Sequence, residues 1–159
     1  MIQPQEIHDR FPELKWIENE NLRNKVAEVW ATAANQGKWS SLDDVPFTLL
    51  IEDSGKLVDH TRRITKLAWN VGNTREETLK KDYLIAGAIL HDVGKLLEYE
   101  IIDGKPVKSE FGKKYRHPVS GSNLAKELGL PDEVVHIIYA HSKEGDTIQR
   151  RHVRMMVSE

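Results

Sequence analysis

The sequence predicts an all-α fold in a single domain, and three observations predict it. Apolar residues recur at helical spacing, glycines and prolines stand where helices would stop and start, and only the short stretch EIIDGKPVK is β-prone. The N-terminal part, from Met1 to about Ser41, reads as a helical preface. Within it, Asn21–Gln36 carries Leu22, Val26, Val29, Trp30 and Ala33 on one face, and Gly37 stands where the helix would end. A loop with Ser40, Ser41 and Pro46 follows, so residues 1–50 are assigned to the preface and 51–159 to the main domain, the two forming one compact unit.

The next helix places Leu57, His60, Ile64, Leu67, Ala68 and Val71 on one face and is expected to end at Gly72. Thr74 stands three residues before Glu77, a capping-box spacing that opens another helix, running through Leu79, Tyr83 and Leu84 to His91. Asp103-Gly104 between two β-prone runs predicts one small hairpin, with Pro106 weakening its second strand. His117-Pro118 is a cap followed by a first-turn proline; that helix carries Leu124 and Leu128 and stops at Gly129. Pro131 opens the following helix, with Asp132 and Glu133 complementing the positive end of its dipole. Thr147–Glu159 is at best weakly helical.

Composition narrows the function. A chain of 159 residues suffices for one core. Its net charge of −2 gives no reason to expect a nucleic-acid or anionic-membrane surface. The absence of cysteine excludes a disulfide framework, a thiolate zinc site and a cysteine nucleophile. The longest apolar run, near Leu84–Leu90, is too short to span a bilayer, and MIQPQEIHDR is no signal peptide, so a soluble cytoplasmic protein is expected.

Four of the seven histidines fall on inward positions. His60 shares its face with Ile64, Leu67 and Val71, and His91-Asp92 closes the run LIAGAIL. His117 precedes Gly121, Leu124 and Leu128 by 4, 7 and 11 residues; His141 follows Val134 and Ile138 by 7 and 3. Buried polar groups are costly unless they find partners. A lone inward histidine is more often a hydrogen-bonded core residue, but four imidazoles and one carboxylate could satisfy one another through a metal ion. His8, His136 and His152 lie in polar surroundings or off the main apolar stripe.

The segments DHTRRITKLA, AGAILHDVGK and RHPVSGSNLAKELGLPDEVVHIIYAH resemble the HD-domain superfamily of metal-dependent phosphohydrolases. The likeness spans roughly Leu57 to His141, and its most specific block is His91-Asp92-x-Gly94-Lys95, following a helix with His60-x-x-Arg63. The resemblance implies a helical bundle around one or two divalent metals. It implies His60, His91 and Asp92 as ligands of one metal, and His117 and His141 as ligands of a second, with Asp92 bridging. Imidazole and carboxylate suit iron, manganese, zinc, nickel or cobalt. The sequence departs from the family pattern after His141: a last aspartate ligand is expected from a further helix, and only Asp146 remains, while Ser142 stands where some members place a histidine. A truncated C-terminal helix, or another group in place of that ligand, is one consequence.

The resemblance further implies hydrolysis of a nucleotide or other small phosphate ester by a metal-activated water, with Asp92 orienting the water. Lys95, one turn beyond His91, either contacts a substrate phosphate or caps the helix from the surface. Arg63 is near the site as a substrate contact or in a salt bridge. Lys113, Lys114 and Arg116 form a basic cluster that either attracts an anionic substrate or is a solvated loop. Glu144 and Asp146 could hydrogen-bond ligand histidines or form a polar turn. Two other functions share these residues: a di-iron oxygenase on the same fold, and a catalytically weak module that senses a ligand or serves as a partner domain.

Overall fold

The computed structural model describes residues 1–74 and 81–142. The chain forms α1 (Pro4–Arg10), a 3-10 turn (Pro12–Trp16), α2 (Glu20–Gln36), a second 3-10 turn (Leu42–Asp44), α3 (Leu57–Thr74), α4 (Lys81–Leu90) and the short α5 (Lys95–Glu98). The hairpin β1 (Tyr99–Ile102) and β2 (Lys105–Lys108) follows, then α6 (Glu110–Lys114), α7 (His117–Glu127) and α8 (Asp132–Ala140). Among the described residues the fold is all-α with one small antiparallel hairpin, as the sequence predicts.

The central element is α4. Every residue from Leu84 to Leu90 is buried, so it lacks the polar stripe of a surface helix, and α2, α3 and α8 pack around it. Around it α2 brings Val26, Val29, Trp30 and Ala33, all fully buried. The Asn19 side chain caps α2 by accepting from the Leu22 N–H at 2.9 Å. Two tryptophans tie the N-terminal elements to the rest: Trp30 donates from its indole to the Ile89 carbonyl at 2.9 Å, and Trp39 donates to the Leu96 carbonyl at 2.7 Å. Arg62 of α3 reaches back to Glu13 at 3.0 Å, and Arg10 pairs with Asp43. Burying a side chain the size of Leu or Phe is worth roughly 1.5–3 kcal/mol, so the fully buried Trp30, Phe11 and Leu14 give the N-terminal segment a substantial hold on α4.

The hairpin turns at Asp103 (φ 52°) and Gly104 (φ 77°), two left-handed residues in succession as a tight two-residue turn requires. Pro106 pairs with Ile101, the position in such a hairpin whose N–H would point away from the partner strand, so the missing donor costs nothing.

Three local expectations are corrected. First, α3 does not end at Gly72 but continues to Thr74. Gly72 is buried, and a Cβ there would stand 3.0 Å from Leu84, so the glycine serves the α3–α4 contact rather than termination. Second, Leu67 is 56% exposed. The inward stripe of α3 runs instead through Leu57, His60, Thr61, Thr65 and Ala68, and the Thr65 hydroxyl is satisfied by donating to the Thr61 carbonyl at 2.7 Å. Third, Arg116 rather than His117 occupies the cap of α7, with His117 its first residue. The capping box at Thr74–Glu77, the stretch Thr147–Glu159, and Glu144, Asp146 and His152 lie outside the described residues.

Candidate metal centre

Helix ends deliver the centre. His91 and Asp92 follow the last residue of α4, Lys95 opens α5, His117 opens α7, and His141 follows the last residue of α8; His60 alone comes from within a helix, in the first turn of α3. The last carbonyls of a helix have no partner within it. His91 and His141 supply one by turning back three residues. The His91 Nδ1 lies 2.6 Å from the Ala88 carbonyl, and the His141 Nδ1 lies 2.8 Å from the Ile138 carbonyl. A carbonyl only accepts, so each Nδ1 carries the proton, and in the neutral ring Nε2 keeps its lone pair.

Those Nε2 atoms converge on Asp92. Oδ2 stands 3.3 Å from His60 Nε2 and 3.2 Å from His91 Nε2; Oδ1 stands 3.1 Å from His117 Nε2 and 3.2 Å from His141 Nε2. Asp92, His91 and His141 are fully buried, whereas the side chains of His60 and His117 remain 11% and 8% exposed. Among the described residues, the centre therefore opens to solvent on the side where those two rings stand. Phe47 covers part of that opening, its ring stacked on His60 with centroids 3.9 Å apart.

Gly94 makes the convergence possible. Any side chain there would overlap the His117 carbonyl, so the turn after Asp92 and the start of α7 could not approach as they do.

The charges follow from this packing. Burial alone would raise the Asp92 pKa, but the surrounding imidazoles, His91 foremost, hold it well below the usual carboxylate range. Burial lowers His141, and the neighbouring His91 and His117 add to that against Asp92. Burial also opposes protonation of His117, yet Asp92 and Glu98 outweigh it and raise its pKa. Glu98 is raised by burial and more than compensated by His117, so it stays ionised more readily than an ordinary glutamate. Burial and the Glu98 charge push the Tyr99 hydroxyl up to about 12.

The residues fit a divalent cation. Among the described residues, neither oxygen of Asp92 has a well-formed hydrogen bond, although both are buried. Lone pairs of a carboxylate and of neutral imidazoles repel one another at these distances unless a proton or a cation sits among them. Two groups could hold an ion, His60–His91–Asp92 and Asp92–His117–His141, with the ligand atoms of each within 4.8 Å of one another. Imidazole nitrogen with carboxylate oxygen suits first-row transition metals.

The remaining residues singled out from sequence fall in different places. Lys95 is buried, which rules out capping from the surface: its ammonium donates to the Phe47 carbonyl at 2.7 Å, lies 4.1 Å from the Phe47 ring centre, and stands 3.6 Å from Asp92 Oδ2. Arg63 is exposed, and the neighbouring Arg62 forms a salt bridge with Glu13. Arg116 is half-buried directly before His117. Lys113 pairs with Glu110 at 3.0 Å, and Lys114 is exposed.

Sequence reasoning missed Glu98 and Phe47. Glu98 is 5% exposed, accepts from the His117 backbone N–H at 2.7 Å, and faces His117 Nδ1 at 3.3 Å. A carboxylate inside the apolar run Leu96-Leu97-Glu98-Tyr99 was the available signal.

A helical bundle that focuses four imidazoles, three of them from helix ends, on one buried carboxylate belongs to a class of metal-binding helical domains. The chain is a member of the HD domain family, whose model matches residues 57–158. It is 33% identical over 94 residues to the dihydroneopterin 2',3'-cyclic phosphate phosphodiesterase of Methanocaldococcus jannaschii, a match covering 52% of this chain and 38% of that relative. The chain thus corresponds to well under half of that relative's length. No solved structure matches this chain. No helix among the described residues is long and apolar enough to cross a membrane.

Proposed function

We propose that this protein is a metal-dependent phosphohydrolase acting on a small phosphate ester, with nucleotides and cyclic phosphodiesters the first classes to test. The carrying observation is Asp92: a buried carboxylate each of whose oxygens faces two imidazole nitrogens, with a lysine ammonium beside it. Membership of the HD domain family and the likeness to a phosphodiesterase support the reaction class.

In this reading His60, His91 and Asp92 hold one divalent transition metal, and Asp92, His117 and His141 hold a second. Iron, manganese, zinc, nickel and cobalt are all compatible with the ligands. A bound divalent cation supplies a nucleophilic hydroxide near neutral pH and neutralises phosphate oxygens. The chain's own residues do the rest. Asp92 accepts a hydrogen bond from the attacking water and fixes its direction. Lys95 contributes positive charge next to Asp92, where a phosphate oxygen would gain negative charge in the transition state. Arg116, directly before His117 in the chain, and the exposed Arg63 of α3 would attract an anionic substrate.

We further infer that residues 1–50 and 51–159 fold as one unit in the cytoplasm. The indole bonds from Trp30 and Trp39 and the Arg62–Glu13 pair support that unity.

The test pairs metal analysis of protein purified without chelator with a screen of nucleotides, cyclic phosphodiesters and phosphomonoesters. Copurifying metal and hydrolysis that chelator abolishes are expected. Protein that binds no transition metal and melts at the same temperature with or without chelator would sink the reading.

A further inference from the structure

The three rings that stand at helix ends are aimed in two different ways. His91 and His141 follow the last residues of α4 and α8, so each finds a carbonyl of its own helix three residues back. His117 opens α7 and has no turn of that helix behind it. Its Nδ1 faces Glu98 Oε2 at 3.3 Å instead, and the same oxygen accepts from the His117 backbone N–H at 2.7 Å. That N–H is one of the four that a helix N-terminus leaves without a partner, and Arg116 at the cap supplies no side-chain acceptor. One carboxylate oxygen therefore closes the start of α7 and faces the ring. Hydrogen-bond direction, rather than a balance of charges, carries this assignment: the adjacent Arg116 is a guanidinium and cannot accept from either nitrogen.

Glu98 is itself held in place. It ends α5 and immediately precedes β1, while Ser109 immediately follows β2. Ser109 closes the base of the hairpin: its N–H donates to the Glu98 carbonyl at 2.9 Å, and its hydroxyl donates to the Leu97 carbonyl at 2.7 Å. The same hydroxyl oxygen accepts from the Gly112 N–H at 2.8 Å and so caps α6. A side chain at Gly112 would overlap the Glu98 carbonyl, so α6 lies directly on the backbone that carries the carboxylate. We propose that Glu98 is a positioning residue for His117, and that Ser109 gives it that role by locking the hairpin base. A carboxylate only accepts, so Nδ1 carries the proton and Nε2 is presented to Asp92 Oδ1, 3.1 Å away. The hairpin thereby takes part in aiming a ring to which its own strands contribute no ligand. This rests on the metal-centre reading above.

The full chain is stripped with chelator, and long-range proton–nitrogen NMR at about pH 9, above the ordinary imidazole range, reads the tautomer of each neutral ring. The native chain should show His117 protonated on Nδ1 in a single form. Glu98→Gln keeps an oxygen that can accept and should keep that form. Glu98→Ala removes the acceptor and should give a mixture. His141 is the internal control: its acceptor is a helix carbonyl, so its tautomer should be the same in every variant. A merely structural role for Glu98 would disturb both rings or neither, and either result overturns the proposal. So does a native His117 with Nδ1 unprotonated, which needs no variant. Calorimetric titration with Co²⁺ is the second readout. Glu98→Ala should weaken binding by about 10- to 100-fold, the usual range for losing such a supporting group, and Glu98→Gln should recover most of that loss. Ser109→Ala leaves the carboxylate in the chain and should move both readouts part of the way. Native tautomer and native affinity in that variant overturn the part given to Ser109. A native chain with the expected His117 tautomer that binds no Co²⁺ overturns the metal-centre reading instead.

Discussion

Lys95 and Phe47 hold each other across the mouth of the centre: the ammonium donates to the Phe47 carbonyl at 2.7 Å and lies 4.1 Å from the centre of the Phe47 ring, which itself stacks on His60. The pair joins the segment before α3 to the start of α5, so the loop and the metal-facing residues are one mechanical unit.

Removing that ammonium should therefore loosen the loop as well as change the site's charge. Lys95→Ala is expected to raise amide hydrogen exchange across residues 46–56 and to lower phosphate-ester hydrolysis by about 10²–10³-fold, as losing one preorganised electrostatic group does. Exchange measured by mass spectrometry checks the first effect. Unchanged exchange in that segment would show that the Phe47 carbonyl contact does not restrain it.

Asp92→Asn keeps the shape of the side chain and removes its charge. Hydrolysis should fall below detection and the affinity for Co²⁺ should drop, while circular dichroism remains that of the native chain. Full hydrolase activity in this variant would end the metal-hydroxide mechanism and favour a ligand-sensing role for the fold.

Proton competition sets the pH dependence. His117 has a folded pKa above the ordinary imidazole value of 6.5, because Asp92 and Glu98 favour its charged form against the cost of burial. Below that raised pKa a cation must displace a proton from Nε2, so metal affinity should rise with pH, by about tenfold per unit while one proton is released. The same shift acts in the opposite sense on metal-free protein. Its stabilising contribution is fully present below pH 6.5 and is lost as pH rises through the folded pKa. Chelator competition and melting curves between about pH 6 and pH 8 should show both trends.

Gly94→Ala places a methyl group against the His117 carbonyl. Overpacking of this kind costs typically 1–3 kcal/mol, read as a lower denaturation midpoint. If His117 serves only the ion proposed between Asp92, His117 and His141, the variant should weaken Co²⁺ binding there and spare binding between His60, His91 and Asp92.

Much of this arrangement was legible because it is local. His60, His91, Asp92, His117 and His141 interrupt apolar faces at helical spacing, and a period marks a direction even when it names no partner. The hairpin was legible for a similar reason, since Asp103-Gly104 carries its turn chemistry in two adjacent residues. Periodicity erred where a stripe was followed too far: an ideal face drifts around the helix, which leaves Leu67 in solvent and gives Thr61 and Thr65 the inward positions. It could not find Glu98 or Phe47. Glu98 meets a residue 19 positions away and Phe47 one 48 positions away, and pairing at such separation is fixed by tertiary packing. The burial of Lys95 was hidden for the same reason, because the carbonyl that receives it lies before α3.

His91 and His141 each bind back to a carbonyl of the helix they follow. Their orientation is consequently settled by helix termination, before any ion is involved. A peptide that must gather scattered ligands spends most of its binding energy on ordering itself, and its loading is inseparable from its folding. Here the cage is assembled in advance. Swapping one metal for another should consequently leave the helical framework untouched, and exchange should be limited by the passage of ions past Phe47 rather than by any rearrangement of the bundle.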